Sequence, residues 1–265
     1  MKLDSSLIVA NWKMQLSFNE ALEQAGDYYE QYVLDKKTVE SEIVLCPSFP
    51  ALFPASRLFK GSAITLGAQD CSPHRTGAYT GQVCAESLAQ IGCKYCIIGH
   101  SERRHYNHET NMEIADKAQR LLEQEVRPIT CIGETKQEYE SQETFRILQQ
   151  QLDPVLERIA SFGIPQKPIY ISYEPVWSIG TGIIPSTEYL TNIVTWIREY
   201  AEQKLGRDRL VGILYGGSVS AQTIPQLKEV QGLSGLLVGG ASLNFQKFNN
   251  IVYSYNNSLS QSPLK

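Results

Sequence analysis

Short runs of apolar residues, many β-branched or aromatic, recur along the chain. They are Leu7–Ala10, Ile43–Cys46, Ile64–Leu66, Tyr95–Ile98, Pro128–Ile132, Ile169–Tyr173, Val211–Tyr215 and Gly235–Val238. They do not alternate with polar residues, so they read as strands covered on both faces. Between most of them lie stretches with helical period. Asn111–Val126 carries Met112, Ala115, Ala118, Leu122 and Val126 on one stripe, and Glu143–Ile159 and Glu188–Leu205 are similar. Alternating strands and helices predict a buried parallel sheet. Eight such units without a break in composition predict closure into one domain, a (β/α)8 barrel over residues 1–253 with eight parallel strands and outer helices. Residues 254–265 are polar and read as a loosely held tail.

A barrel of this kind carries its chemistry at the C-terminal ends of its strands. Those ends read Asn11-Trp12-Lys13, Cys46-Pro47, Gln69-Asp70, Gly99-His100-Ser101-Glu102-Arg103-Arg104, Gly133-Glu134, Glu174, Gly216-Gly217-Ser218 and Gly239-Gly240. The stretch after strand 6 is the richest. Glu174 ends the strand, and Pro175 keeps it extended. Val176, Trp177 and Ile179 make an apolar loop, and Gly180, Thr181 and Gly182 offer backbone N–H groups to an anion. A carboxylate, an apolar lid and an anion nest point to base chemistry on a small phosphorylated molecule. Each residue also has a plain reading. Glu174 could be an ion-paired surface carboxylate, Lys13 a solvated lysine, His100 a core histidine capping the next helix, and Gly216-Gly217 a tight turn.

The length of 265 residues suits one barrel of roughly 250 residues. A net charge of −4 gives no footprint for nucleic acid or an anionic membrane, so a phosphate site must be local. No run is long enough to span a membrane, and no targeting segment is visible, which makes the cytoplasm the expected compartment. Of the six cysteines, Cys93 and Cys96 form a lone C-x-x-C, a weak zinc pattern. Cys46, Cys96 and Cys131 read as core residues. His74, His105 and His108 have no ligand-like spacing and are assigned to the surface.

Five segments together resemble the signatures of the triosephosphate isomerase family, whose fold is the TIM barrel. They are Asn11-Trp12-Lys13-Met14, Gly99–Arg104, Tyr173–Gly182, Tyr215–Ser218 and Val238–Ala241, in the family's order. The resemblance covers residues 7 to about 250 and implies interconversion of dihydroxyacetone phosphate and D-glyceraldehyde 3-phosphate, a step of glycolysis and gluconeogenesis, without cofactor or metal. It implies Glu174 as the base and His100 as the group that polarises the carbonyl, a carboxylate–neutral histidine pair that is this family's own pattern. Lys13 and Asn11 would stabilise the enediolate, and Glu102 would position Lys13 or share in proton movement. Backbone N–H groups of Gly180, Ser218, Gly239 and Gly240 would hold the phosphate. Pro175, Val176, Trp177, Ile179, Thr181 and Gly182 would form a closing lid, with Val176, Trp177 and Ile179 excluding water and Glu134 bound to Trp177. The loop Gly77–Gly81 resembles the segment that reaches a neighbouring subunit, with Thr80 near the partner's site, and implies a homodimer.

Two positions depart from the family pattern. Gln82 stands where a glutamate usually pairs with the residue matching Arg103. Pro185 stands where a backbone amide usually latches to the residue matching Tyr215. Proline has no N–H, so that latch should be absent or taken over by a neighbouring amide. Other functions remain open on the residues alone. Glu102 and Glu174 could serve glycoside hydrolysis, Lys13 could form a Schiff base in an aldolase, or the barrel could be a binding protein.

Overall fold

The computed structural model describes residues 6–34, 40–162, 169–206 and 211–257. Eight parallel strands close into a barrel in sequence order. They are β1 (Leu7–Asn11), β2 (Glu42–Cys46), β3 (Ile64–Ala68), β4 (Tyr95–Ile98), β5 (Arg127–Ile132), β6 (Ile169–Tyr173), β7 (Val211–Tyr215) and β8 (Gly235–Val238). Ten α-helices are described: α1 (Phe18–Tyr29), α2 (Phe49–Leu58), α3 (Ala85–Ile91), α4 (Ser101–Tyr106), α5 (Asn111–Glu123), α6 (Lys136–Glu140), α7 (Thr144–Ser161), α8 (Thr187–Leu205), α9 (Ile224–Lys228) and α10 (Phe245–Asn257).

Closure brings β8 beside β1 with Leu7 opposite Gly235. Gly235 is required there, because a Cβ on it would lie 1.9 Å from the carbonyl oxygen of Leu7. The strands are buried on both faces. One set of side chains fills the barrel interior, including Val9, Val44, Ile97, Cys131, Leu214 and Leu237. The other set packs against the helices in a continuous outer layer. Burying both faces removes any need for polar alternation, which is why the strands read as apolar runs.

The stripe on α5 differs from the expected one at both ends. Met112 is exposed, while Ile114, Ala115, Ala118, Leu121 and Leu122 are buried. Val126 lies beyond the helix, which stops at Glu123 and leaves through a left-handed Glu125. Cys46, Cys96 and Cys131 are buried, and His74, His105 and His108 are exposed. Helix α10 continues through Ser254 to Asn257, with Tyr255 and Asn256 buried. The beginning of the expected tail therefore belongs to the packed helix layer, and residues 258–265 lie outside the described ones.

Candidate active site

The site is built from the first residues beyond the strands. Lys13 has φ of 53°, a left-handed conformation that a lysine rarely adopts. Side chains brace it on both sides. Its N–H donates to Asn11 Oδ1 at 3.1 Å, and its carbonyl accepts from Gln69 Nε2 at 2.8 Å. Gln69 also donates to the carbonyl of Cys46, tying β1, β2 and the loop after β3 together. The strain places the ammonium against Glu102 Oε1 at 2.6 Å.

His100 caps a helix and lines the cavity of the site at the same time. It caps α4, with Nδ1 accepting the N–H of Glu102 at 3.2 Å. A nitrogen that accepts carries no proton, so this bond selects the neutral tautomer with hydrogen on Nε2. Nε2 lies 3.7 Å from Glu174 Oε1.

Glu174 is buried at the end of β6, its N–H bonded to the Ile132 carbonyl at 2.7 Å. The strand ends meet so closely here that Gly133 cannot carry a side chain, since a Cβ would lie 1.8 Å from the Glu174 carbonyl oxygen. One carboxylate oxygen, Oε2, accepts from the N–H of Ser101 at 3.3 Å. The other, Oε1, is buried with no hydrogen-bond partner. Behind it Arg104 donates to the carbonyls of Gly99 and Cys131 at 2.7 and 3.0 Å. Burial lowers the Arg104 pKa, while nearby acidic groups, Glu174 among them, favour its charged form.

A cavity of about 340 Å³ opens between these groups and the glycine-rich loops. Asn11, Lys13, His100, Glu174, Ile179, Gly180, Gly182, Ser218, Gly239 and Gly240 all line it. Glu102 does not. It stands behind Lys13 and His100, so Glu102 and Glu174 do not form a two-carboxylate pair across the cavity. Among the described residues no three His, Cys, Asp or Glu side chains are grouped to hold a metal ion.

The lid lies against the rim. At its first end the N–H of Val176 bonds to the Glu134 carbonyl at 3.1 Å, and Trp177 Nε1 donates to Glu134 Oε1 at 2.8 Å. Glu134 is fully buried and also accepts from Tyr173 at 3.0 Å. Burial raises its pKa, against the opposing pull of the Trp177 and Tyr173 hydrogen bonds. At the far end the N–H of Gly182 bonds to Ser218 Oγ at 3.1 Å, and Ser218 donates to the Ser178 carbonyl. Thr181 Oγ1 closes the turn onto the same carbonyl at 2.9 Å. Of the three apolar residues expected to cover the site, only Ile179 lines the cavity. Trp177 anchors the loop on Glu134, and Val176 lines a separate cavity with Ser101 and Arg104.

Position 185 offers Tyr215 no N–H, and the tie between Tyr215 and the lid runs instead through a serine hydroxyl. Ser178 Oγ donates to the Ile183 carbonyl at 2.7 Å and accepts from Tyr215 at 3.1 Å. A serine hydroxyl thus bridges the distance that Pro185 cannot. Thr80 is not brought to this site by its own chain, and its loop is exposed.

The sequence also compares directly with known proteins. A family model described as triosephosphate isomerase matches residues 6–255. The triosephosphate isomerase of Aquifex aeolicus is 38% identical over 256 residues, covering 94% of this chain and 99% of that protein. The enzyme of that name from Dictyoglomus thermophilum is 39% identical over 250 residues, covering 94% and 98%. That of Thermus thermophilus is 38% identical over 244 residues, covering 91% and 95%. The chain belongs to the triosephosphate isomerase family.

Within that family, the Gln82 departure has a local counterpart. Arg103 pairs inside its own chain, with Asp70 at 2.9 Å and Glu109 at 3.3 Å. Gln82 instead accepts a hydrogen bond from Ser72. Several contributors carried no signal of their contacts in the sequence. Gln69, Ser101 and Arg104 stood out only as polar residues at strand ends, and their bonds to Lys13, Glu174 and the barrel rim are long-range. Ser178 was one unremarked residue of the loop.

Proposed function

We propose that this protein interconverts dihydroxyacetone phosphate and D-glyceraldehyde 3-phosphate, with Glu174 as the base. Glu174 takes a proton from C1 of the ketose, and the C–H electron pair becomes the C1–C2 double bond of an enediolate. Negative charge then develops on the oxygen at C2. The Nε2–H of His100, the Lys13 ammonium and the Asn11 amide face that position and stabilise the charge as it forms. His100 gives its proton to the C2 oxygen and takes one from the C1 oxygen. Glu174 returns its proton to C2, and every group is restored. Glu102 holds Lys13 in place and does not touch the substrate. Backbone N–H groups of Gly180, Ser218, Gly239 and Gly240 hold the phosphate dianion, and the lid from Pro175 to Gly182, Thr181 included, shields the enediolate from water.

The reading rests most directly on one observation. A buried carboxylate with a free oxygen and a histidine of fixed tautomer face each other across a cavity shared with Lys13 and the glycine loops. No external group is needed for the proton bookkeeping, so no cofactor enters the proposal. The test is conversion of glyceraldehyde 3-phosphate to dihydroxyacetone phosphate by the purified protein, with Glu174→Gln alongside. Turnover lost in the variant supports the proposal, and a folded but inactive parent protein rejects it.

The same reading makes the protein a cytoplasmic homodimer with a single catalytic domain that runs through α10 to Asn257. No described helix is long and apolar enough to cross a membrane. Met14, beside the site, is 93% exposed, and Tyr79 projects from the Thr80 loop, stacked on His74 and 44% exposed. Covering such side chains is what a second subunit would do. Sedimentation at micromolar concentration checks the dimer, and a monomer there would remove Thr80 from the account.

A further inference from the structure

The base stands on a stretch of backbone that is held from behind. Three consecutive residues at the end of β5 form its seat. The Ile132 carbonyl accepts the N–H of Glu174 at 2.7 Å, and the Glu134 carbonyl accepts the N–H of Val176 at 3.1 Å. Between them Gly133 packs directly on the Glu174 peptide, with no room for a Cβ. The polar groups of Gly133 therefore point to the other edge of β5, where β4 would continue. But β4 has already left, since its last pair with β5 is Ile98 with Thr130 and the chain then turns into α4. Buried backbone groups on such an edge need partners from elsewhere.

Side chains from two helices supply them. Arg104 of α4 donates to the Cys131 carbonyl. Gln151 of α7 takes both groups of Gly133. Its Oε1 accepts the Gly133 N–H at 2.8 Å, and its Nε2 donates to the Gly133 carbonyl at 3.0 Å. A primary amide offers an acceptor and a donor side by side, so one side chain copies the edge of the missing strand. The platform beneath it is firm. Leu148, Leu152 and Val155 of α7 are buried around Gln151. Pro154 has no N–H, so the Gln150 carbonyl lacks its helical partner. Asn111 donates to that carbonyl at 3.0 Å and accepts from Arg104 at 2.5 Å. The two helices that finish the edge of β5 are thus tied to each other. Gln151 and Arg104 line a cavity of about 250 Å³ with Ser101, Glu174 and Val176, and none of the phosphate-facing glycines borders it.

We infer that Gln151 is a positioning residue for Glu174: by holding both polar groups of the Gly133 peptide, its amide fixes where the Glu174 backbone, and with it the carboxylate, stands over the substrate. Gln151 touches no reacting atom and acts through Gly133. Without its two bonds the Gly133 peptide is free to shift, and Glu174 shifts with it. A displacement of about 1 Å at a catalytic group can cost about 10²-fold in rate. The effect falls on proton transfer and spares phosphate binding, because Ser218, Gly239 and Gly240 follow β7 and β8, which do not pair with β5.

The inference rests on the isomerase reading. Gln151→Met, which keeps the length of the side chain and removes the amide, is compared with the parent protein in steady-state kinetics, in inhibition by inorganic phosphate and in urea denaturation. Its kcat falls about 10- to 100-fold. Its KM and phosphate inhibition constant change by less than about twofold, the pattern of an interaction lost only in the transition state. The primary isotope effect on its kcat, with dihydroxyacetone phosphate deuterated at C1, is expressed in full, because proton removal by Glu174 then limits the rate. A methionine variant with a lower urea midpoint but parental kcat per folded molecule overturns the inference, since Gln151 then only supports the fold. A rise in KM and in the phosphate inhibition constant at constant kcat overturns it too. Should the methionine variant not fold, Gln151→Asn keeps an amide one methylene too short to hold both groups and is read the same way. An inactive parent rejects the isomerase reading and the inference with it. An active parent with an unaffected Gln151 variant rejects the inference alone.

Discussion

Consecutive residues around the start of α4 feed two clusters of opposite character. His100 and Glu102 turn toward Lys13 and Glu174. Arg103 turns toward Asp70, Glu109 and Lys117. Each cluster holds two carboxylates and two basic groups, and their pairing differs. In the second, Lys117 Nζ sits 2.7 Å from Asp70 and also binds Glu109, while Arg103 bridges the same two acids. Each cluster leaves one carboxylate oxygen buried without a hydrogen-bond partner, Oε2 of Glu109 and Oε1 of Glu174. But Glu109 is ion-paired through its other oxygen to Lys117 and Arg103, whereas in the first cluster Lys13 is taken up by Glu102 and Glu174 faces only a histidine 3.7 Å away. The first cluster lines the cavity through Lys13, His100 and Glu174, and the second lies behind the rim. Mutual pairing consumes the electrostatic capacity of the second group in holding the fold. The first retains capacity that a substrate can use.

The largest effect expected from this contrast is on rate. Glu174→Gln should lower turnover by about 10²- to 10⁴-fold, the usual contribution of a positioned acid–base group. Its urea midpoint should not fall, because the exchange removes a buried charge with an unpaired oxygen. An isomerase assay and a denaturation curve on one preparation check both halves. A variant that loses stability and keeps turnover would reverse the assignment of the two clusters.

The opposite pattern is expected for Lys117→Met. It strands Asp70 and Glu109 without their buried cation and should cost about 3–5 kcal/mol of stability. Activity per folded molecule should stay near that of the parent. Urea denaturation with activity titration of the folded fraction measures the split.

A pH series sharpens the same point. Burial pulls the Lys117 pKa down, but the charges of Asp70 and Glu109 outweigh it and raise the pKa above the usual lysine value. A raised folded-state pKa gives stability that is complete below the unfolded lysine pKa and is lost as pH rises through the folded value. The stability gap between the parent and Lys117→Met should therefore stay constant from neutral pH to about 10.4, the ordinary lysine pKa, and shrink only above it. A gap that closes near neutrality would show that the cluster is not held by this lysine's charge.

The smallest effect is expected at Pro185→Ala. The Tyr215 hydroxyl already ties the lid by donating to Ser178, so a restored N–H at 185, donating to the same oxygen, adds to a loop end that is already held. KM should change by less than about twofold, a difference under 0.5 kcal/mol. A larger fall in KM would mean that the direct latch outweighs the serine bridge.

The eight strands were legible because a strand buried on both faces leaves a run of apolar residues and little else. Their bounds agree with the sequence reading to within two residues, as for β3, which ends at Ala68 rather than at Leu66. The helix end at Glu123 was missed because Val126 continues the apolar spacing while a left-handed Glu125 breaks the backbone. Within the site, the residue types at the strand ends were visible because the fold directs chemistry there. The division of labour in the lid was not. Trp177 and Val176 read as covers on hydrophobicity alone, and only their neighbours Glu134, Tyr139, Ser101 and Arg104 show that they face away from the cavity.

The sequence by itself determined the strand and helix order and the chemical groups at each strand end. These depend on local periodicity, on steric rules that act within a few residues, and on motifs read in series. The tertiary structure alone decided the tautomer of His100, the bracing of a left-handed Lys13 by Gln69, the unpaired oxygen of Glu174 and the serine bridge that bypasses Pro185. Each of these is a contact between groups on different strands or loops. Its geometry exists only once the barrel has closed, and a linear pattern carries no record of which of several eligible partners stands within hydrogen-bond reach.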